Sequence, residues 1–285
     1  MHYTLADFPQ VRRFATLPPD FYTERPPTPL CSPTLAAWNS PLAESLGLDP
    51  DPQQHPDLPQ ILAGNRLPKH SRPLASVYSG HQFGVYVPQL GDGRALLIGE
   101  HRAPDGMIHE LQLKGAGRTP YSRSGDGRAV LRSSIREYLG SEAMHGLGIA
   151  TTRALGLVVS PELVWRESAE TAAVLLRVAP TFVRFGHFEY FSHTGQHAAL
   201  RTLTDWVIEH FYPQCRDAAD PVAALLREDS PQLCKFSLRS YGELDVRSIA
   251  ADLDGGGHFN AAGGTLRMPL EQAGRILLDR IGLYL

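Results

Sequence analysis

The sequence predicts an α+β fold, in which a small sheet carries one helix and a second, small α/β module follows. The first observation is two strand-like runs at 95–100 and 107–114, the second of which alternates apolar and polar residues. The second is a helical apolar period over 129–148, which ends at a glycine pair. The third is two further strand-like runs at 154–160 and 171–178. The order strand, strand, helix, strand, strand indicates a sheet with a helix against it.

The first 75 residues are rich in proline and predict an extended N-terminal arm that wraps over the following domain. Helical spacing of apolar residues predicts helices over Ser32–Leu46 and near Pro59–Gly64. In the later helix, Val130, Ile135 and Leu139 are predicted to lie on the buried face, together with Met144.

Beyond the sheet, the pattern predicts a partly helical segment at 180–195, a helix at 197–214 and another beginning after residue 221. The helical pattern stops at 228–231, where we place a domain boundary. A strand, a helix, a glycine-rich turn running into a strand, and a closing amphipathic helix then follow, at 233–240, 244–253, 255–268 and 270–285. The predicted domains are therefore 1–75, 76–228 and 229–285.

Composition narrows the possible functions. The net charge of −3 gives no indication of a nucleic-acid or anionic-membrane partner for the chain as a whole. The three cysteines, Cys31, Cys215 and Cys234, lack metal-site spacing and are expected to be ordinary thiols in a reducing compartment. No run approaches the roughly 18 apolar residues of a membrane span. These features predict a soluble, cytoplasmic protein without a membrane partner.

Lys114 and Glu137 are the first candidate site residues. A lysine at a strand end before a glycine-rich loop can reach triphosphate oxygens, and a glutamate on a neighbouring helix can hold it there. Protein kinases use this arrangement. Spacing alone favours the alternative that Lys114 is a solvated strand end and Glu137 a surface helix residue, because such pairs are common.

Two Gly-Asp-Gly-Arg turns, at 91–94 and 125–128, flank this strand. Glycine lets backbone N–H groups approach phosphate closely, and a following arginine adds a forked donor. The aspartates Asp92 and Asp126 also suit simple turns. Arg177 and Arg184 follow the last predicted strand and need anionic partners, either protein carboxylates or ligand phosphates.

Three segments, 78–100, 110–149 and 175–191, resemble the selenoprotein O family, and the resemblance extends over about residues 1–227. It implies a protein-kinase-like (pseudokinase) fold that binds ATP in a flipped orientation. It also implies transfer of AMP to Ser, Thr or Tyr hydroxyls of protein substrates. The family's ATP-binding residues correspond to Gly91, Gly93, Arg94, Lys114, Asp126, Gly127, Arg177 and Arg184, and its lysine-positioning glutamate to Glu137.

The resemblance also implies Mg or Mn, held by a C-terminal lobe that supplies the catalytic base. The family's segments for this purpose, HGVMNTDN and IDYGPF, do not occur in the sequence, so we expect a truncated C-lobe without catalytic residues or metal ligands. The chain is thus expected to be a protein adenylyltransferase by descent that is catalytically incomplete.

Residues 232–285 instead resemble the C-terminal substrate-binding domain of DHH-family phosphoesterases. That resemblance implies phosphate or RNA-end binding by Arg239, Gly255, Gly256, Gly257 and His258. No Asp-His-His string is present for the metal chemistry of those enzymes. The alternatives to the adenylyltransferase are therefore a module that binds short RNA or nucleotides and a non-functional chimeric fragment.

Overall fold

The computed structural model describes residues 2–82, 84–213, 222–240 and 244–284. It is a mixed α/β structure that divides into two compact units, Met1–Leu203 and Thr204–Leu285. Among the helices of these described ranges, none is both long enough and apolar enough to traverse a bilayer. Cys31 and Cys234 form no disulfide within the described residues, and Cys215 lies outside them.

The first unit contains most of the strands. Its elements are β1 (Gln10–Val11), β2 (Tyr22–Glu24), β3 (Thr34–Trp38), α1 (Ser40–Ser45), α2 (Leu58–Leu62), β4 (Leu74–Ser76), β5 (Gly80–Gln82), β6 (Val85–Val87), β7 (Ala95–Arg102), β8 (Ile108–Lys114), β9 (Ala129–Val130), α3 (Leu131–Gly146), β10 (Arg153–Trp165), β11 (Ala169–Ala179) and α4 (Phe185–His193). A further helix, α5 (His197–Phe211), spans the division between the units.

The main sheet has nine strands in the order β2-β4-β7-β8-β11-β10-β3, with β1 added to β7 and β9 added to β11. Its ladders are antiparallel. The two predicted strand pairs are confirmed as the hairpins β7–β8 and β10–β11, and the predicted helix between them is confirmed as α3. Antiparallel pairing of β8 with β11 brings the two hairpins together in the centre of the sheet.

The proline-rich N-terminal residues contribute strands to both edges of this sheet, because β2 pairs with β4 and β3 pairs with β10. The predicted helix over Ser32–Leu46 is therefore wrong in its first half, where backbone pairing with β10 overrides the helical spacing. The short helix near Pro59–Gly64 is confirmed as α2. The fully buried rings of Phe21 and Phe191 lie 4.4 Å apart and pack the N-terminal residues against α4.

The predicted buried face of α3 is wrong. Ile135, Leu139 and Met144 are 42%, 62% and 40% exposed, and Val130 is buried but belongs to β9 rather than to the helix. The face that turns towards the sheet carries Glu137, which forms an ion pair with a strand lysine. Leu131 and Tyr138 of α3 pack against the buried residues of β10 and β11, so the helix turns towards the sheet a different face from the one that Ile135, Leu139 and Met144 define.

The second unit is built around a four-stranded antiparallel sheet. Its elements are β12 (Val222–Ser230), β13 (Leu233–Ser240), α6 (Val246–Ala251), β14 (Gly256–His258), β15 (Ala261–Leu266) and α7 (Leu270–Gly282), and the strand order is β12-β13-β15-β14. The predicted helix after residue 221 is wrong, because this stretch is β12 and pairs with β13. The proposed domain boundary at 228–231 falls at the turn of this hairpin. Phe236 and Leu238 pack in the core of the unit with Ile249 of α6 and Leu277 of α7.

Candidate nucleotide site

A polar stripe on β8 organises the candidate site. Glu110, Gln112 and Lys114 alternate along the strand and therefore share one face of the sheet. Glu110 and Gln112 are only 1% exposed, which is unusual for polar side chains and requires partners. Lys114 contacts α3, Gln112 contacts β11, and Glu110 contacts the residues that follow β11.

Lys114 forms an ion pair with Glu137 of α3. The two side chains are 23% and 28% exposed, so the pair is partly shielded from water. Burial lowers the pKa of Lys114, and the hydrogen bond with Glu137 opposes that effect. The sequence-based alternative of a solvated strand end and an unpaired surface glutamate is therefore wrong.

Arg177 on β11 lies opposite Gln112 in the strand register and donates to the Gln112 amide oxygen. Its Nη1 lies 3.4 Å from Glu137 Oε1, so Glu137 receives two cations. Burial lowers the pKa of Arg177. Its buried Nε has no hydrogen-bond partner among the described residues. Of the two partners that the sequence allowed for Arg177, the structure shows the protein carboxylate.

Arg184 precedes α4, and its guanidinium lies over the ring of Tyr78, 5.3 Å from the ring centroid. Within the described ranges it has no carboxylate partner. The charge of Arg184 lowers the pKa of Arg177, although burial and Glu137 have larger effects on that pKa. The two guanidinium groups therefore interact electrostatically. Arg184 is exposed and has donors directed to no protein anion that the structure describes.

The glycines of the first Gly-Asp-Gly-Arg turn, at 91–94, serve close packing within the protein. The N–H groups of Gly91 and Gly93 donate to the carbonyls of Tyr78 and Gly91, at 2.9 and 3.0 Å. A side chain on Gly91 would overlap the ring of Tyr121, and one on Gly93 would meet the Tyr121 carbonyl oxygen at 2.8 Å. These glycines therefore allow close packing, and their N–H groups are already used within the protein.

Arg94 completes the cluster. It is exposed, and the next residue, Ala95, is the register partner of Lys114. Burial is the largest influence on the lysine pKa, and the charges of Arg177 and Arg94 lower it further. Lys114 and Arg177 thus contact Glu137, and the charges of Arg94 and Arg184 act on Lys114 and Arg177 respectively.

Asp92 is a candidate site residue that the sequence did not single out. It is 4% exposed and accepts hydrogen bonds from Ser76 N at 3.0 Å, Ser76 Oγ at 2.6 Å, Tyr78 Oη at 3.2 Å and Gln112 Nε2 at 3.4 Å. It links the turn to Gln112 and hence to Arg177. Gln112 was also missed, although a polar residue two positions before Lys114 in a buried strand is a recognisable signal.

The residues of the second Gly-Asp-Gly-Arg turn, at 125–128, contact parts of the first unit other than the residues around Lys114. Asp126 accepts from Arg166 at 2.8 and 3.0 Å, and the Arg166 hydrogen bond is the main cause of its lowered pKa. Gly127 has a φ of +74° and accepts a hydrogen bond from Gly117 N at 3.0 Å. Arg128 is buried and donates to Glu162 at 2.8 Å. None of these side-chain contacts reaches Lys114, Glu137 or Arg177.

A cavity of about 340 Å³ lies beside the ion pair, between α3, the residues before β10 and β11. Glu137 and Arg177 line it, together with Met144 and Leu175. Its volume is at the lower end of the range for small-ligand pockets. There is accordingly room for a ligand group next to Arg177.

The cluster does not fit a divalent metal ion. Its carboxyl groups are those of Asp92, which is engaged by three protein side chains, and Glu137, which is paired with Lys114 and Arg177. Across the described residues, no group of His, Cys, Asp and Glu has the arrangement of a metal site. A divalent ion at this cluster would have to displace a protein partner from one of these two carboxylates.

In the second unit, Arg239 of β13 and His258 of β14 are both register partners of Ala261 on β15. Residues directly opposite each other in an antiparallel sheet share a face, so the two side chains lie on the same side. This face is exposed, whereas Phe236 and Leu238 point into the core from the other. Gly255 and Gly257 lie against the backbone of β15, and Gly256 has open space around its Cα.

Two known protein families match this chain. Residues 5–230 match the family described as "Protein adenylyltransferase SelO". The chain belongs to the SelO family. Residues 215–281 match the DHHA1 domain, so the SelO region is followed by a second domain type.

Two relatives named "Protein nucleotidyltransferase YdiU" illustrate the similarity. The protein from Burkholderia cenocepacia is 56% identical over 221 residues, and that from Paraburkholderia xenovorans is 57% identical over 218 residues. These alignments cover 76% and 75% of this chain but only 42% of each relative. The chain thus spans about two-fifths of the length of these SelO-family relatives.

Proposed function

We propose that the first unit is the nucleotide-binding part of a SelO-type protein adenylyltransferase, with the sheet and α3 corresponding to the N-terminal lobe of a kinase-like fold. The observation that carries this proposal is the ion pairing of Lys114 and Arg177 with Glu137, together with the further positive charges of Arg94 and Arg184 that act on these two cations. A site with such an excess of positive charge favours a multiply charged anion.

The chemistry of the cluster suits the triphosphate of ATP. Glu137 orients Lys114, which acts as a point charge, while Arg177 and Arg184 offer planar guanidinium groups to phosphate oxygens. The strand lysine and helix glutamate are the pair that kinases use for this purpose. The SelO-family relatives, which are named nucleotidyltransferases, support a nucleotide as the ligand.

We propose that the chain descends from enzymes that transfer AMP to Ser, Thr or Tyr hydroxyls with Mg or Mn, an ion that the carboxylates of this cluster do not fit. Such transfer needs a carboxylate to orient the attacking hydroxyl. Glu137 and Asp92 are both committed to protein partners. We therefore propose that these residues hold ATP without transferring AMP.

Calorimetric titration with ATP tests the proposal. Lys114→Ala should weaken ATP binding by about 10- to 100-fold, because it removes a charged hydrogen bond to phosphate. The matched control is Arg132→Ala, on the same helix as Glu137 but exposed and paired with Glu170. A thermal melt of each variant verifies folding. Equal affinity of folded Lys114→Ala and wild-type protein would contradict the proposal.

A second candidate function concerns the tail. Because Arg239 and His258 share one exposed face, we propose that this face binds the phosphate of a nucleotide or short RNA. Arg239→Ala and His258→Ala should each weaken binding of a labelled pentaribonucleotide to the full chain by about 10-fold. Arg247→Ala, whose side chain pairs with Asp245, is the control. Unchanged binding in both variants would exclude this face.

A further inference from the structure

Two buried carboxyl groups lie side by side beneath the candidate site. Glu100 on β7 and Glu110 on β8 are register partners, so their side chains share one face, and they are 3% and 1% exposed. Arg13 of the N-terminal segment donates to Glu100 Oε1 at 3.1 Å, and Phe14 N donates to its Oε2 at 3.0 Å. Glu100 therefore accepts the Nε–H of Arg13, and both of its oxygens have a donor.

Glu110 has a different set of partners. Its Oε2 accepts from Phe182 N at 2.6 Å, and its Oε1 has no partner in the part of the chain that the structure describes. The charged groups that act on it are Glu100 from β7 and Arg13, and Thr181 contributes a hydroxyl hydrogen bond. Burial and then the charge of Glu100 raise the pKa of Glu110 to about 8.

The contact between Glu110 and Phe182 connects the buried carboxyl groups to the arginines of the candidate site. Phe182 belongs to the turn 180–184 between β11 and α4, and its ring lies 5.2 Å from the Arg177 guanidinium carbon. Arg184 ends the same turn. Arg13 Nη2 also donates to Pro180 O, at 3.1 Å. Glu110 and Arg13 therefore hold this turn at two points.

We propose that Glu110 is a positioning residue for the nucleotide site, holding the turn 180–184 through Phe182 N so that Arg177 and Arg184 face the same ligand. Ionisation of Glu110 places a second negative charge beside Glu100 in a desolvated environment. The turn then moves to admit water, and the arginine pair is no longer held. The proposal rests on the proposed nucleotide-binding function.

The expected consequence is a pH dependence of ATP binding that Glu110→Gln removes. The ratio of the wild-type to the Glu110→Gln dissociation constant should be constant at pH 6–7, because titration of the ATP phosphate cancels, and should rise several-fold as the pH passes about 8. Glu110→Gln, which keeps a neutral acceptor for Phe182 N, should lack this step. Glu24→Gln, at an exposed carboxylate paired with Arg72, should follow the wild type. Titration of Lys114 affects all three proteins and cancels in their ratio.

Amide exchange gives a readout that needs no nucleotide. Above pH 8 the protection factor of the Phe182 amide, which is its intrinsic exchange rate divided by its observed rate, should fall in the wild-type protein. In Glu110→Gln the protection factor should stay constant. The positioning role alone would be overturned if ATP binding by the wild type and by Glu110→Gln showed the same pH dependence and the Phe182 protection factor of the wild type did not change with pH. No ATP binding by any of the proteins would overturn the nucleotide site and the positioning role with it.

Discussion

Replacing Arg13 with alanine is expected to lower the free energy of unfolding by about 3–5 kcal/mol, because it leaves the buried Glu100 carboxylate without its cation. The two side chains are only 9% and 3% exposed. The substitution also removes the hydrogen bond to Pro180 O. Burial already raises the pKa of Glu100 in the presence of Arg13, so the remaining hydrogen bond from Phe14 N cannot compensate for the lost charge.

Chemical denaturation of both proteins measures this loss. Arg72→Ala is the matched control, because Arg72 also pairs with a glutamate, Glu24, but the side chains are 45% and 50% exposed. Exposed ion pairs contribute little, so this control should change stability far less. Without Arg13, Glu100 binds its proton more tightly in the folded than in the unfolded state. The deficit should therefore shrink towards pH 4 and grow as the pH rises. Equal losses in the two variants would contradict a buried role for Arg13.

Sequence periodicity predicted the central hairpins and the site lysine well, because these depend on short-range features. Alternation along β8 and the position of Lys114 at its end follow from neighbouring residues alone. The pairing of Lys114 with Glu137 needed more, since spacing left the exposed alternative open. Membership in the SelO family supplied the missing information, and the ion pair confirms it.

The errors arose where the partner of an element, rather than its own pattern, decides its environment. The apolar residues of α3 gave a helical period, but the sheet uses the carboxylates of Glu137 and Glu142 from that helix. The face of α3 that packs on the sheet carries Leu131 and Tyr138 together with these carboxylates, and Ile135, Leu139 and Met144 are left exposed. The stretch 222–230 has residues compatible with a helix, and pairing with β13 makes it a strand. Local propensity is a weak guide when tertiary hydrogen bonds are available.

Long-range contacts of single polar residues were equally beyond the sequence. Asp92 looked like a turn residue, and only the fold places it against Ser76, Tyr78 and Gln112. Glu110 was likewise an ordinary polar position in an alternating strand. Its role depends on Phe182, which lies 72 positions later in the chain. Such contacts depend on strand order, and pattern analysis of one element does not reveal it.

Gly127→Ala is expected to lower the free energy of unfolding by about 2–5 kcal/mol, combining a left-handed backbone with steric overlap. Gly127 has a φ of +74°, and a side chain there would overlap the backbone carbonyl of Gly117, which no rotamer can relieve. Gly106→Ala is the matched control. Its φ of +87° is also left-handed, but a side chain there meets nothing within 4 Å. It should lose only about 1–2 kcal/mol.

The same pair of variants distinguishes packing from ligand binding as the reason for this glycine. In the structure Gly127 contacts Gly117, and its turn makes no side-chain contact with Lys114. Folded Gly127→Ala should therefore be unstable in denaturation while retaining most of its ATP affinity at low temperature. If instead Gly127→Ala is as stable as Gly106→Ala but has lost ATP binding, Gly127 serves ligand binding rather than packing. In that case the second turn would contact phosphate directly, and the nucleotide site would extend beyond Arg94, Lys114, Arg177 and Arg184.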